Sequence, residues 1–235
     1  MKCQINNEFI THDIIRKLKL IESGKTGKVY KWKNNKILKI FTKNSPENKC
    51  PMDLETAEIL SKINTKSRYI ILPIDLVFNK NDYKKNNLKG YTSLYIKRKG
   101  NSNITKIPKG KLLENIQGIE EDIELLSSKN ILLDGLNMQN TIFNDKLYIS
   151  DPVRYIKMED EVRDINMKLF QQLLIDLISR DLRKLKVSKG KIEQVAELLY
   201  LKDDEVLNCI YLKDILDTPT YTDDIDNILT LTKKL

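Results

Sequence analysis

Asp134, Asn140 and Asp151 fall within one short stretch, Ile131-Leu-Leu-Asp-Gly-Leu-Asn-Met-Gln-Asn-Thr-Ile-Phe-Asn-Asp-Lys-Leu-Tyr-Ile-Ser-Asp151. The spacing reads as a loop carrying Asp134 and Asn140, then a hairpin around Asn144-Asp145 that ends on Asp151. The Asn140 amide and the Asp151 carboxylate offer hard oxygen donors. Mg²⁺ takes such donors one or two at a time from a protein and completes its shell with water and phosphate oxygens. Asp134 then remains as a spare acid. A set of this kind suits chemistry on phosphate.

A second phosphate-type element lies upstream, in Ser23-Gly24-Lys25-Thr26-Gly27-Lys28-Val29-Tyr30. Gly24-Lys25-Thr26 matches the end of a Walker A loop. That loop needs a glycine five positions before its second one, where this chain has Lys19, and a helix afterwards, where this chain gives a hairpin. The reading is therefore excluded. What remains is a strand, Gly24-x-x-Gly27-x-Val29 and another strand, with Lys39 on the strand after that. Glycine lets backbone N–H groups approach phosphate oxygens with no Cβ in the way. In this reading Gly24, Lys25 and Gly27 face phosphate, Val29 covers a base and Lys39 reaches the phosphates.

The elements that position these residues are legible from periodicity. Leu18–Ile21, Lys28–Lys33 and Lys36–Phe41 read as strands, with Asn34-Asn35 a tight turn between the last two. Asp53 caps a helix running to about Ile63. Ile70–Phe78 and Gly90–Ile96 read as two more strands, joined by a lysine- and asparagine-rich loop. Past residues 97–100 the pattern turns helical. Leu112, Ile116, Ile119, Ile123 and Leu126 form one stripe, with Glu114, Glu120, Glu121 and Glu124 outside it. The helix from Met167 to Leu182 is apolar on nearly every face from Leu169 to Ile178 and is expected to be buried in the middle of its part of the fold. A further amphipathic helix through Ile192, Val195, Ala196 and Leu199, and a short C-terminal helix, follow.

Composition sets the outer limits. The 235 residues are 40% hydrophobic and 31% charged, an ordinary balance for a globular chain. Cys3, Cys50 and Cys209 have no metal-ligand or disulfide-framework spacing, which fits reduced thiols in the cytoplasm. No stretch resembles a signal peptide or the ~20 apolar residues of a membrane span, so no membrane insertion is expected. The net charge of +8 comes mostly from lysines scattered among asparagines, without the interleaved aromatics of a stacking platform. A solvated surface is the expectation, not a nucleic-acid interface.

Taken together, Gly24–Tyr30, Ile37-Leu-Lys39 and the Asn140/Asp151 segment, in this order and spacing, resemble the protein-kinase-like superfamily, as a divergent member. The resemblance covers about Leu18 to Leu182. It implies an α+β fold of two lobes: residues 1–97 as a small antiparallel β lobe with one helix, and 98–235 as a mainly helical lobe. ATP and Mg²⁺ would sit between them, with a protein or small-molecule hydroxyl as acceptor. The resemblance makes Lys39 the phosphate anchor, paired with a glutamate of the inserted helix. Glu55 and Glu58 both qualify, and Glu55 is preferred. Asn140 and Asp151 become the metal ligands, Asp134 the acceptor-orienting acid, and Asp164 of Asp164-Ile-Asn the brace of the catalytic loop. The chain also departs from the family. The acid is expected five residues before the asparagine, where Gly135 stands; Asp134 is displaced by one position, about 3.8 Å of chain. The usual histidine is missing, His12 lies far upstream, and Pro152-Val153 follows Asp151. The expectation is an active phosphotransferase, with a nucleotide-sensing or protein-binding pseudokinase as the alternative.

Overall fold

The computed structural model describes residues 2–5, 8–42, 51–79, 88–98, 109–144 and 146–184. The Cys50 and Cys209 thiols, the lysine–asparagine loop and the helices expected beyond residue 184 lie outside them. The architecture is α+β, with an antiparallel sheet in the first part of the chain and helices in the second.

Five strands form the heart of the sheet: β3 (Leu20–Ser23), β4 (Gly27–Lys31), β5 (Lys36–Phe41), β6 (Leu76–Asn79) and β7 (Leu88–Leu94). A hairpin missed in the sequence, β1 (Lys2–Ile5) with β2 (Glu8–Thr11), extends the edge to give the order β2-β1-β6-β7-β5-β4-β3. The turn between β4 and β5 forms as expected, because Asn34 and Asn35 both take positive φ (56° and 55°), which asparagine tolerates. A short helix, α1 (His12–Lys17), covers a small cluster of Ile5, Ile10, Ile15, Leu38 and Val77.

The strand expected over Ile70–Phe78 is split. Pro73 has no N–H to give to a ladder, and the chain changes partners there. Leu76–Asn79 joins the sheet, whereas Ile71 N–H donates to Ile149 O at 2.8 Å and Ile149 N–H to Tyr69 O at 2.9 Å. This segment therefore ties the sheet to the later hairpin of β9 (Thr141–Phe143) and β10 (Leu147–Ile149).

Helix α2 (Leu54–Ile63) begins where expected, with the Asp53 carboxylate accepting from Thr56 N–H at 2.7 Å. It buries Ala57 and Leu60 in the main core. There they meet the Ile116, Ile119, Ile123 and Leu126 stripe of α3 (Lys109–Ser127) and Phe170, Leu173, Leu174 and Leu177 of α4 (Arg163–Lys184). Each such side chain contributes roughly 1.5–3 kcal/mol through burial. The all-round burial expected of the helix from Met167 to Leu182 is corrected by α4. It buries one stripe, while Asp164, Ile165, Lys168 and Gln172 are exposed. No helix among the described residues is long and apolar enough to cross a membrane.

Candidate functional site

A cleft of about 550 Å³ opens between the sheet and the β9–β10 hairpin. Its apolar end is lined by Val29 and Ile37 from the sheet and Ile71 and Ile142 opposite, and the connection Tyr95–Arg98 runs along it. Its polar end holds Gly24, Gly27, Lys39, Tyr91, Asn140 and Asp151. Six of the nine residues singled out from the sequence, Gly24, Gly27, Val29, Lys39, Asn140 and Asp151, line this cleft; Lys25, Glu55 and Asp134 do not.

The two glycines of the hairpin differ. A Cβ on Gly27 would meet Ile40 O at 2.5 Å, so the pairing of β4 with β5 already requires glycine there. Gly24 is open, with Gly27 O at 3.9 Å the nearest atom to an added Cβ. Space for a ligand therefore lies at Gly24. Lys25 sits on the exposed turn, its carbonyl accepting from Thr42 Oγ1 at 3.0 Å, and does not line the cleft.

Lys39 is buried on the central strand β5, and its Nζ lies 2.5 Å from Asp151 Oδ1. Tyr91 occupies the paired position on β7 and donates its hydroxyl to the same oxygen at 3.3 Å. Burial, and then the Asp151 charge, hold the Tyr91 proton well above the usual tyrosine range. The helix glutamate expected beside Lys39 is not brought there. Glu55 and Glu58 are both exposed on α2, whose inward face carries apolar residues and Thr56, and Lys39 pairs with Asp151 instead.

Asp151 takes a left-handed conformation (φ 63°, ψ 65°) ahead of a 3₁₀ turn, Pro152–Arg154. For a residue other than glycine this costs on the order of 1 kcal/mol. Asn140 closes the 3₁₀ turn Met138–Asn140, which Asn137 caps through bonds to Gln139 N–H and Asn140 N–H. Asn140 Nδ2 donates to Gly135 O at 2.9 Å, and Asn140 O accepts from Ser150 N–H at 2.7 Å. Among the described residues, Asn140 Oδ1 and Asp151 Oδ2 have no protein partner. These two hard oxygens fit a small divalent cation that draws its remaining ligands from phosphate and water. The described residues contain no cluster of three or more His, Cys, Asp or Glu side chains of the kind a protein-only metal cage would need.

Asp134 points elsewhere. Its Oδ2 accepts from Arg154 Nε at 3.0 Å and NH2 at 2.8 Å, with both side chains well exposed. Gly135 has φ 88°, and a Cβ on it would press on the Arg154 stem at 3.1–3.2 Å. Glycine at 135 is thus fixed by the backbone turn and by the arginine lying across it.

The loop is held from below by a residue other than the one expected. Asp164 is 84% exposed and, among the described residues, approaches only its neighbour Arg163. Asn166, two positions on and fully buried, does the bracing. Its Oδ1 accepts from Leu133 N–H at 2.8 Å, and its Nδ2 donates to Ile131 O and Ser127 Oγ at 2.8 and 2.9 Å. The strands β8 (Ile131–Leu132) and β11 (Ile156–Lys157) pair and stitch the acid loop to the segment after Asp151. Asp122 of α3 does comparable work unforeseen in the sequence, accepting from the N–H groups of Arg68, Tyr69 and Ile70 at 2.7–3.0 Å. A half-turn of bare N–H donors next to a helix carboxylate is a contact between distant segments, so no local pattern announces it.

No protein-family model and no curated protein sequence matches the chain.

Proposed function

We propose that the cleft binds Mg·ATP and that the protein is a phosphotransferase of the protein-kinase-like type, moving the γ-phosphate to a hydroxyl of a protein or small molecule. The two parts of the chain, 1–97 and 98–235, act in this reading as the lobes on either side of the nucleotide. The observation that carries it is the ion pair of the buried Lys39 with the half-buried Asp151, in the same cleft as Gly24, with the free Asn140 and Asp151 oxygens beside it. Phosphoryl transfer depends on positioning and charge neutralisation more than on covalent chemistry by the protein. Lys39 supplies a fixed cation for the phosphates, and Gly24 leaves its backbone open to them. Val29, Ile37 and Ile142 offer apolar walls for the base. Asn140 and Asp151 would hold Mg²⁺, whose charge offsets that of the phosphates.

Asp134 orients the acceptor hydroxyl. Its pairing with Arg154 does not prevent this, since an exposed ion pair is worth about 0–1 kcal/mol and opens readily. The short run from Asp151 to α4 leaves little platform for an extended peptide. A cytoplasmic setting, where ATP is plentiful, accords with this reading.

The second reading is a pseudokinase that senses nucleotide or binds a partner protein. Gly135 and the Asp134–Arg154 pair favour it, because the acid expected to orient an acceptor is held by an arginine and does not line the cleft. Transfer of label from γ-labelled ATP separates the two, measured for the unaltered protein, Lys39→Met and Asp134→Asn. The phosphotransferase reading expects loss in both variants. Mg·ATP binding without transfer in the unaltered protein would select the pseudokinase.

A further inference from the structure

Asp151 is served from the sheet and not from a helix. Lys39 and Tyr91 sit opposite each other on β5 and β7, and both donate to Oδ1 of the carboxylate. The Tyr91 ring is 2% exposed and packs edge-on against Phe41, with centroids 6.0 Å apart. Its hydroxyl therefore approaches Asp151 from a fixed position. One carboxylate oxygen is occupied by two donors, and the other is left for a cation.

We propose that Tyr91 is a positioning residue for the divalent cation: its hydroxyl holds Asp151 Oδ1 so that Oδ2 faces the metal. The inference rests on the nucleotide reading above. Its consequence appears when the Lys39 ammonium also has a phosphate to serve. Tyr91 then remains as the donor on Oδ1, and the carboxylate keeps its orientation. Outer partners of metal-ligating carboxylates commonly change metal affinity by about 10–100-fold when removed.

The test is the Mg²⁺ dependence of ATP binding by the full chain, measured by calorimetry for the unaltered protein and Tyr91→Phe, with ATP binding in EDTA alongside. Tyr91→Phe keeps the ring and its packing. The Mg²⁺ midpoint should rise about ten-fold, while ATP affinity in EDTA stays unchanged. A general loosening of the sheet would weaken binding in both conditions and would overturn the assignment. If the unaltered chain fails to bind Mg·ATP, the nucleotide reading falls. If it binds and Tyr91→Phe keeps the same Mg²⁺ midpoint, only the role of Tyr91 is overturned.

Discussion

Two ion pairs flank the loop from Asp134 to Asp151, and they are built to different standards. Lys39–Asp151 joins a buried lysine of a central strand to a carboxylate in a constrained backbone conformation, with Tyr91 as a second donor. Asp134–Arg154 joins two exposed side chains at the rim. Solvent screens the second pair, so it contributes about 0–1 kcal/mol. In the first, the Lys39 ammonium is buried and the Asp151 carboxylate only half-buried, so water has less access to the lysine than to either member of the second pair. The Lys39 end of the loop is thus constrained, and the Asp134 end is loose. On the proposed reading this is a division of labour: ATP would meet a constrained frame, while the acid would move when an acceptor arrives.

The largest effect should follow from breaking the rigid pair. Lys39→Met removes the fixed cation, and γ-phosphate transfer should fall about 10²–10³-fold, followed by label transfer. Equal rates in variant and unaltered protein would place catalysis elsewhere. Next comes the loop's brace. Asn166→Ala strands the buried Leu133 N–H and Ile131 O, and should cost about 2–3 kcal/mol in urea denaturation. Asp164→Ala should stay within about 0.5 kcal/mol. The reverse order would return the bracing role to Asp164.

Gly135→Ala tests the junction between the two ends. The positive φ and the Arg154 stem both oppose a methyl group, so a loss of about 1–2 kcal/mol is expected. Denaturation that shows no loss would mean that Arg154 and the turn relax freely. Alkaline pH probes the rigid end through its buried tyrosines. The folded chain keeps the Tyr91 and Tyr155 protons above the usual range, chiefly through burial. The unfolded chain releases them near pH 10. Their contribution is therefore complete below about pH 10 and is lost as the pH climbs further, at up to about 1.4 kcal/mol per pH unit for each group. Tyr91→Phe should flatten this alkaline fall in stability, read from denaturation at pH 9 and pH 11. The smallest effect belongs to the loose pair. Arg154→Ala should change stability by less than about 1 kcal/mol, while transfer changes because Asp134 is released; a stability loss above 2 kcal/mol would show the pair to be structural.

What the sequence disclosed follows the same division between near and far. The Asn34-Asn35 turn, the Asp53 cap and the α3 stripe were legible because each is decided within a few residues. So were Lys39, Asn140 and Asp151 as a group, since hydrogen-bonding chemistry and spacing narrow the choice. The break at Pro73 was written in the sequence but was outweighed by the apolar run around it. The exchange of Asp164 for Asn166 depended on which face of α4 turns inward, and a helix that looks apolar all round hides that. Glu55 pointed outward for the same reason: the α2 face is chosen by the core, not by the lysine it was expected to meet. Arg154 over Gly135, Tyr91 under Asp151 and Asp122 beneath the Arg68 backbone join residues 19 to 60 positions apart, and no short-range pattern encodes them.

The central claim is that Lys39 and Asp151 form one end of a Mg·ATP site, and thermal melting with ATP, with and without Mg²⁺, tests it most directly. At about 100 times the dissociation constant, Mg·ATP should stabilise the fold by about 2.7 kcal/mol. That raises the midpoint by several degrees in the unaltered protein, with no rise in Lys39→Met or Asp151→Asn. An unaltered protein whose midpoint does not move with saturating Mg·ATP, or a rise that survives both substitutions, would contradict the account.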